Sequence, residues 1–328
     1  MRTIVVGGQY GDEGKGKILS YLAVKDNPKV IVRGGVGPNA GHQVFYNGKK
    51  YGLRLIPCGF VNGSARLLIG AGVLVNPEVF LKEVAEVGGE KRSGIDFRAI
   101  AILPEHRERD KSDNSKKIGT TGTGCGPAMM DRVARVAKFV SEIPELKQYI
   151  CDVEQEVNAE KDVLIEGSQG FMLSLYYGTY PFVTSKDTSA SSVAADVGLG
   201  PKSIDRVIMV IKAYTTRVGN GPFPGELPVD EAVKLGFQEY GTVTGRPRRT
   251  SKDLHFEDLR KAARINSATD IAITKIDIKF QGNAGVREFS KLTSDAQEFV
   301  KNVEKEFGVP VTLIGTGPDV NDIIDLRH

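Results

Sequence analysis

The chain has 328 residues, 40% hydrophobic and 26% charged, a length that permits one large domain or two. Its 44 basic and 41 acidic residues give a net charge of +3, too balanced to argue for nucleic acid. Without a membrane-length apolar run or a signal peptide, we expect a cytoplasmic protein that binds no membrane. Cys58, Cys125 and Cys151 are odd in number and lack metal-site spacing, which predicts reduced thiols.

Strands and helices alternate along the sequence, which predicts an α/β fold with a mainly parallel central sheet and helices on both faces. We find no convincing linker and expect a single domain over residues 1–328. The predicted strands cover 3–6, 30–32, 67–75, 99–103, 162–166, 206–211, 270–274, 288–292 and 310–314, with a hairpin over 43–56 turning at Asn47-Gly48. The predicted helices cover 18–23, 77–87, 128–141, 145–158, 187–199, 256–267 and 294–307. Residues 105–117 and 213–249 are predicted to be mostly loop.

The segment G-D-E-G-K-G-K, Gly11 to Lys17, joins the first strand to the first helix, the arrangement in which backbone amides and a helix N-terminus bind phosphate. It satisfies G-x-x-x-x-G-K, but Ile18 replaces the hydroxyl residue that would hold magnesium. Carboxylates at Asp12 and Glu13 are unexpected in a loop with only a phosphate to bind. We therefore expect Asp12 to be a metal ligand, a base, or both.

The sequence T-K-I-D, Thr274 to Asp277, directly follows a predicted strand. A carboxylate there can accept from N1–H and the exocyclic amine of guanine together, a donor pair that adenine lacks. Four letters alone are weak evidence, and a solvated strand end is the plain alternative. Together with the phosphate loop they favour GTP.

Three further stretches carry candidate ligand groups. His42 lies among glycines in N-A-G-H, where a cation could stabilise charge in phosphoryl transfer, although most lone histidines are structural. Residues 242–250 concentrate three arginines and three threonines, and arginine pairs with carboxylate or phosphate at two points. Gly119 to Gly126 offers hydroxyls and amides, with Arg132 and Arg135 on the helix that follows. The last two stretches predict a second anion site in addition to the GTP site, for a ligand that carries phosphate or carboxylates.

Ten motifs, each weak alone, occur in the order seen in adenylosuccinate synthetases, and this chain resembles a short member of that family over nearly its whole length. The motifs are G-D-E-G-K-G-K (11–17), N-A-G-H (39–42), G-T-T-G (119–122), E-G-S-Q-G (166–170), G-T-Y-P-F-V-T (178–184), K-A-Y-T-T-R-V (212–218), G-P-F-P (221–224), T-G-R-P-R-R (244–249), T-K-I-D (274–277) and G-T-G-P (315–318).

The resemblance implies a P-loop-like nucleotide-binding architecture and a ligase that forms a C–N bond. GTP would drive the joining of L-aspartate to IMP, giving adenylosuccinate, GDP and phosphate, the first committed step from IMP to AMP. By the family mechanism Asp12 takes the N1 proton of IMP, O6 attacks the γ-phosphate, and His42 assists as acid. The amine of aspartate then displaces phosphate from 6-phosphoryl-IMP.

The resemblance also assigns residues to sites, with Asp12, His42, Lys15 and Gln169 as the catalytic set and a homodimer in which Arg135 reaches the neighbouring IMP. One Mg²⁺ per subunit would be held by Asp12 and Gly41. The GTP set is Gly11, Glu13, Gly14, Lys15, Gly16, Lys17, Gly41, His42, Lys275, Asp277, Gly315 and Gly317. The IMP set is Asp12, Asn39, Thr121, Arg135, Gln169, Leu173, Thr184 and Arg246, and the aspartate set is Thr242, Thr244, Arg246 and Arg248.

Four positions depart from the common family pattern: Thr123 stands where many members carry arginine, Val243 replaces threonine, Gly315 replaces serine and Pro38 replaces asparagine. The chain is also shorter than most of the family. We expect altered substrate affinity or dimer contacts with the same core chemistry. A GTP-binding switch or hydrolase, and a GTP-dependent ligase or kinase acting on another small anion, are the alternatives; an RNA-binding module is third.

Overall fold

The structure is a computed structural model, and it describes residues 1–240, 245 and 247–327. Strands and helices are numbered in chain order. The strands are β1 Arg2–Gly7, β2 Val30–Arg33, β3 His42–Tyr46, β4 Lys49–Leu53, β5 Arg66–Ile69, β6 Leu74–Val75, β7 Ser93–Asp96, β8 Ile100–Ala101, β9 Ile150–Cys151, β10 Val163–Glu166, β11 Arg206–Lys212, β12 Thr215–Arg217, β13 Arg249–Ser251, β14 Asp270–Thr274, β15 Val311–Gly315 and β16 Ile323–Asp325. The helices are α1 Lys15–Lys25, α2 Pro77–Glu86, α3 Pro104–Arg109, α4 Asp113–Ile118, α5 Cys125–Ala134, α6 Val153–Ala159, α7 Ala190–Asp196, α8 Val229–Lys234, α9 Phe256–Asn266, α10 Ile276–Lys279 and α11 Ser294–Phe307.

Ten of the described strands form one sheet in the order β16-β15-β14-β11-β1-β10-β2-β5-β7-β9. Every pairing in it is parallel except that of β15 with β16. The strand β1 lies between β10 and β11, so that Ile4 is opposite Ile165 on one side and Val207 on the other. A strand in that position is buried on both faces, which explains its uninterrupted apolar sequence.

The two faces of the sheet carry separate hydrophobic clusters. Ile4 and Val6 of β1 pack on one side with residues of α6, α7, α9 and α11, while Val5 packs on the other with residues of α1 and α2. Successive side chains of a strand point to opposite faces, so this division follows from the pleat. The predicted α/β fold, with a mainly parallel sheet between helical layers, is confirmed.

Five predicted features agree closely with the structure. The helix predicted over 294–307 has those bounds, and the strands predicted at 206–211 and 270–274 are β11 and β14. The hairpin β3–β4 turns at Asn47 and Gly48, with φ of 50° and 74°. A type I′ turn needs positive φ at both central residues, which Asn-Gly tolerates at little cost. Helix α2 starts at Pro77 after Asn76, whose side chain accepts a hydrogen bond from the Val79 amide.

Several predicted elements are wrong. Residues 105–117 are not a loop but include most of α3 and α4, two short helices with too few apolar positions to show a periodic face. The helix predicted over 128–141 stops at Ala134, because Arg135 is left-handed with φ 64°. The helix predicted over 145–158 is instead a 3₁₀ turn, the strand β9 and the helix α6. The predicted edge strand at 288–292 contains a 3₁₀ turn, and the two edges of the sheet are β16 and β9.

The carboxyl ends of the parallel strands meet at one edge of the sheet, where open α/β sheets bind ligands. Charged residues end three of the buried strands there: Arg33 on β2, Glu166 on β10 and Lys212 on β11. Thr274 ends β14, and the loop Gly8–Gly14 follows β1. Across the described residues, no helix is long and apolar enough to cross a membrane.

Candidate active site

A cavity of about 1480 Å³ opens at this edge of the sheet. Pockets for one small ligand measure roughly 300–1,000 Å³, so this volume accommodates more than one ligand. The predicted site residues that line it are Gly11, Asp12, Gly14, Lys15, Gly16, Lys17, Asn39, Gly41, His42, Thr121, Gln169, Leu173, Thr184, Arg248, Lys275 and Gly317. The fold thus brings the phosphate loop, the N-A-G-H loop and parts of the other predicted sites to one cavity.

The carboxylate of Glu13 organises the phosphate loop from inside. It is fully buried and accepts hydrogen bonds from the amides of Gln9 and Gly11, at 3.1 and 2.9 Å. The ammonium of Lys15 pairs with it at 2.6 Å. Glu13 is therefore a structural anchor of the loop in this state, and Lys15 is held by protein rather than presented freely to a phosphate.

Asp12 is the loop carboxylate that faces the cavity. Its Oδ2 pairs with Nη2 of Arg248 at 2.9 Å, and its backbone is left-handed with φ 59°. Burial raises the pKa of Asp12, against the opposing charges of Arg248, Lys212 and Lys15. A carboxyl with a raised pKa is a better proton acceptor, so its environment suits a base.

The imidazole of His42 is held by two buried residues. Its Nδ1 contacts Oε1 of Glu166, and the same carboxylate oxygen accepts from Nη1 of Arg33 at 2.7 Å. The second oxygen of Glu166 accepts from the Cys58 amide at 2.7 Å, and the pKa of Glu166 is lowered to about 2, chiefly by the charge of Arg33 against the cost of burial. A carboxylate against Nδ1 requires the proton on that nitrogen, which leaves Nε2 for a ligand. Burial, helped by Arg33, lowers the pKa of His42 to about 4.

His42, Cys58 and Glu166 are also close enough to form a metal-binding cluster. The guanidinium of Arg33 already occupies the carboxylate, however, and burial together with the charge of Glu166 raises the pKa of the Cys58 thiol well above its usual value. Metal ions bind the thiolate and are repelled by an adjacent cation. The cluster is therefore better explained as the support of His42.

Four of the residues matched to IMP form a connected group on the wall of the cavity that Asp12 also lines. The amide of Gln169 donates from Nε2 to Oδ1 of Asn39 at 2.8 Å, and Nδ2 of Asn39 donates to Oγ1 of Thr184 at 3.2 Å. The backbone of Thr184 donates to the carbonyl of Leu173 at 2.8 Å. These four side chains are thus prearranged around one part of the cavity wall.

The second glycine- and threonine-rich loop is held in shape by Asp110. This buried carboxylate accepts from the Gly124 amide at 2.8 Å, from Oγ1 of Thr120 at 3.0 Å and from Oγ of Ser115 at 3.2 Å. Thr121 and Thr123 share a hydrogen bond of 2.9 Å between their hydroxyls. Where many relatives were expected to present arginine, this loop therefore presents a hydroxyl pair.

The guanine motif is tied directly to the phosphate loop. Oγ1 of Thr274 donates to the carbonyl of Glu13 at 2.6 Å, and a Cβ at Gly14 would lie 3.1 Å from Cγ2 of Thr274. Among the described residues, the buried Oδ1 of Asp277 has no hydrogen-bond partner, and burial raises the pKa of this carboxyl. A buried acceptor without a partner is costly in a folded protein, so it marks the place of a ligand donor.

Lys17 binds protein groups in this state. Its ammonium donates to the carbonyls of Gly317 and of Asp322, the latter at 2.7 Å, and burial lowers its pKa to about 8. Asp277 and Gly315 are not among the residues that line the cavity, and neither is Arg135, which is exposed. Thr242, Thr244 and Arg246 lie outside the described residues.

The sequence profile of the adenylosuccinate synthetase family matches residues 4–147 and 136–283 of this chain. The chain belongs to that family. It is 58% identical to the adenylosuccinate synthetase of Archaeoglobus fulgidus over 99% of this chain and 98% of that protein. The enzyme of Methanocaldococcus jannaschii is 55% identical over 99% and 97% of the two chains. The fully ligated adenylosuccinate synthetase structure from Plasmodium falciparum superposes with a TM-score of 0.90 at 26% identity, covering 99% of each chain.

These matches confirm the family recognised from its motifs and the enzyme class, a ligase. They support GTP-dependent joining of IMP and L-aspartate over a GTP-binding switch or hydrolase. The short chain is shared with these relatives, because nearly their whole length is covered.

Four residues that shape the site were not singled out from the sequence: Arg33, Lys212, Glu239 and Asp110. Arg33 and Lys212 did carry a signal, since each ends an otherwise apolar strand, and a charge is buried there only when it has a partner. Glu239 and Asp110 lie in charged or loop-like sequence, where nothing distinguishes a buried carboxylate from a solvated one.

The lowered pKa of His42 predicts a pH-dependent stability. The folded chain takes up this proton only below about pH 4 and the unfolded chain already below about pH 6.5. The unfolded state therefore binds more protons between these values, and stability is lost as the pH falls from 6.5 towards 4, by up to about 3 kcal/mol. His42→Asn should flatten this part of the curve of unfolding free energy against pH, measured by urea denaturation. Equal slopes for both proteins would contradict the burial of a neutral imidazole.

Proposed function

We propose that this chain joins L-aspartate to IMP at the expense of GTP, through 6-phosphoryl-IMP, with Asp12 and His42 as the reacting side chains. The observation that carries the assignment is their meeting with Arg248 in one cavity, between two loops suited to anions. A hydrolase or switch has no need of a carboxylate base inside the phosphate loop or of a second anion loop opposite it.

In the first step Asp12 takes the N1 proton of IMP, and the electrons pass to O6. O6 attacks the γ-phosphorus, and the bond between that phosphorus and the bridging oxygen breaks to release GDP. His42 is neutral before GTP arrives, with its Nδ1 proton held by Glu166. The negative charge of the triphosphate raises the pKa of the imidazole, so that Nε2 can carry a proton and donate it to the transferring group.

In the second step the amine of L-aspartate attacks C6 of 6-phosphoryl-IMP, and phosphate leaves with O6. Arg248 would bind a carboxylate of that substrate, because its fork lines the cavity beside Asp12. Thr242, Thr244 and Arg246 are proposed to complete the aspartate site, on the family pattern alone. Gln169, with Asn39, Thr121, Leu173 and Thr184, would hold IMP.

Lys15 and Lys17 would bind phosphate oxygens of GTP once its charge competes with their present partners, together with the amides of Gly11, Gly14 and Gly16. Lys275, Asp277, Gly315 and Gly317 would hold the guanine. The carboxylate of Asp12 and the carbonyl of Gly41 are hard oxygen donors at the cavity wall and would hold one Mg²⁺, which neutralises phosphate charge when bound. Arg248 must leave Asp12 for that to happen.

We also propose a cytoplasmic homodimer in which residues 1–328 act as one catalytic unit. On and after α5, close to Arg135 in the sequence, the apolar side chains of Met130, Val133 and Val136 are exposed, with exposed fractions of 64%, 72% and 73%. An apolar patch around a functional arginine is typical of an interface, and a two-fold axis would give each subunit the arginine of the other. All three cysteines are free thiols, which suits the cytoplasm.

The first test is phosphate release from GTP with magnesium, IMP and L-aspartate. Release should require both acceptors and yield a new absorbing purine. Asp12→Asn should lower kcat at least about 100-fold, because the base is lost, while GTP affinity changes by less than about threefold. Asp162→Asn, at an exposed carboxylate, is the control. Release that is indifferent to IMP and aspartate would identify a guanine-nucleotide hydrolase instead.

Asp277→Asn tests the guanine site. The amide replaces one acceptor oxygen by a donor, so KM for GTP should rise roughly 10- to 100-fold and the preference for GTP over ATP should narrow, with kcat nearly unchanged. Steady-state kinetics with both nucleotides measure this, with Asp295→Asn at an exposed position as the control. An unchanged ratio of the two KM values would place guanine recognition elsewhere.

Subunit complementation tests the role of Arg135. Arg135→Ala and Asp12→Asn should each be inactive alone, whereas a mixture that is allowed to exchange subunits should recover about a quarter of wild-type activity. Half of the dimers are then mixed, and each mixed dimer has one site with Asp12 and the partner's Arg135 intact. If Arg135 acted within its own subunit, no mixture would recover activity.

A further inference from the structure

Four polar groups converge on the carboxylate of Glu239. Oε2 accepts from Nζ of Lys212 at 2.9 Å and from Nη1 of Arg248 at 2.6 Å. Oε1 accepts from the hydroxyl of Tyr214 at 2.6 Å and lies 3.7 Å from Nζ of Lys275. Glu239 is 15% exposed and Lys212 only 1%, so these charges interact with little screening from water. The opposing cations keep the pKa of Glu239 far below its usual range.

Glu239 holds Arg248 at two levels. Its main-chain carbonyl accepts from the Arg248 amide at 2.9 Å, and its side chain accepts from the guanidinium. The next residues, Tyr240 and Pro247, form an antiparallel bridge. Residues 239–240 and 247–248 thus make the base of the arginine-containing segment. This base is fixed to the sheet through Lys212 at the end of β11 and to the guanine motif through Lys275.

The guanidinium of Arg248 is shared between two carboxylates. Its Nη1 pairs with the carboxylate of Glu239 at 2.6 Å, and its Nη2 pairs with the carboxylate of Asp12 at 2.9 Å. Its Nε is buried and has no hydrogen-bond partner among the described residues. A planar guanidinium binds at two points and loses its geometry when one of them is removed. Glu239 therefore determines where the remaining donors of Arg248 lie relative to Asp12.

We propose that Glu239 is a positioning residue of the ligation: it keeps Arg248 in place while Nη2 exchanges Asp12 for a carboxylate of L-aspartate. This inference rests on the proposed roles of Asp12 and Arg248. In the exchange Nη1 stays on Glu239, so the guanidinium changes only one partner. Binding of L-aspartate thus depends on Glu239 through the single side chain of Arg248.

Glu239→Gln tests the proposal, since it keeps the size of the side chain and removes its charge. KM for L-aspartate should rise roughly 10- to 100-fold, the range expected for one charge-assisted hydrogen bond, with KM for IMP changed by less than about threefold. Glu226→Gln is the matched control, because Glu226 pairs with the neighbouring Arg249 at 2.8 Å through a more exposed contact. It should change no KM by more than about twofold. A general loss of packing would raise all the KM values together.

Tyr214→Phe provides a second variant if the buried cations left by Glu239→Gln prevent folding. It removes one hydrogen bond to Glu239 and keeps the stacking of this ring on Phe237, 4.4 Å between centroids. KM for L-aspartate should rise about fivefold and KM for IMP should not. An unchanged KM for L-aspartate in the folded variants would overturn the role of Glu239. A wild-type protein that fails to ligate would instead overturn the proposed function.

Discussion

The fixed shape of the phosphate loop depends on one buried carboxylate. Glu13 accepts hydrogen bonds from two loop amides and from the ammonium of Lys15. Its carboxylate has room to do so only because two of its neighbours are glycines. A Cβ at Gly7 would lie 2.4 Å from this carboxylate, and one at Gly170 would lie 2.3 Å from it and from the Gln9 carbonyl. The E-G-S-Q-G segment can therefore approach the loop only because Gly170 is glycine, which brings Gln169 close to Gly11. Nothing in the sequence explained a carboxylate at Glu13 in an anion-binding loop, and the structure shows that this carboxylate holds the loop together from inside.

Three buried cations at this edge of the sheet each meet a buried carboxylate. Arg33 is paired with Glu166, Lys212 with Glu239, and Lys15 with Glu13. Burying an isolated charge would cost too much free energy, whereas an ion pair is tolerated and its two side chains hold each other in fixed positions. The positions are set by the parallel sheet, which brings the charged ends of β2, β10 and β11 to one edge. The strand order therefore determines where the proposed reacting groups lie relative to one another.

The sequence was sufficient for the features that a local pattern determines. Asn47-Gly48 predicted the hairpin turn, Pro77 predicted the start of α2, and the apolar runs predicted the central strands, because each of these patterns favours a single low-energy conformation. The sequence was insufficient where tertiary contacts determine the local structure. One such place is Arg135, whose left-handed backbone ends α5 early. Another is the charged stretch that forms α3 and α4, in which His106 is buried. The motifs predicted Asp12, His42 and Asp277 as site residues, but no spacing in the sequence could show that Lys15 and Asp12 are paired with protein groups.

Those pairings bear on how wasteful hydrolysis of GTP is avoided. Arg248 is paired with Asp12 and Lys15 with Glu13, so the proposed base and one proposed phosphate-binding cation both have protein partners. The phosphates of GTP can compete for Lys15, and a Mg²⁺ ion on Asp12 would require Arg248 to leave, whereas a carboxylate of L-aspartate would give the displaced guanidinium a new partner. In the proposed mechanism Asp12 is freed when another anion takes over the guanidinium, so the reactive groups would be assembled late and specificity would be gained. The ion pairs that allow charge to be buried at this edge of the sheet would then also delay the chemistry until the acceptors bind.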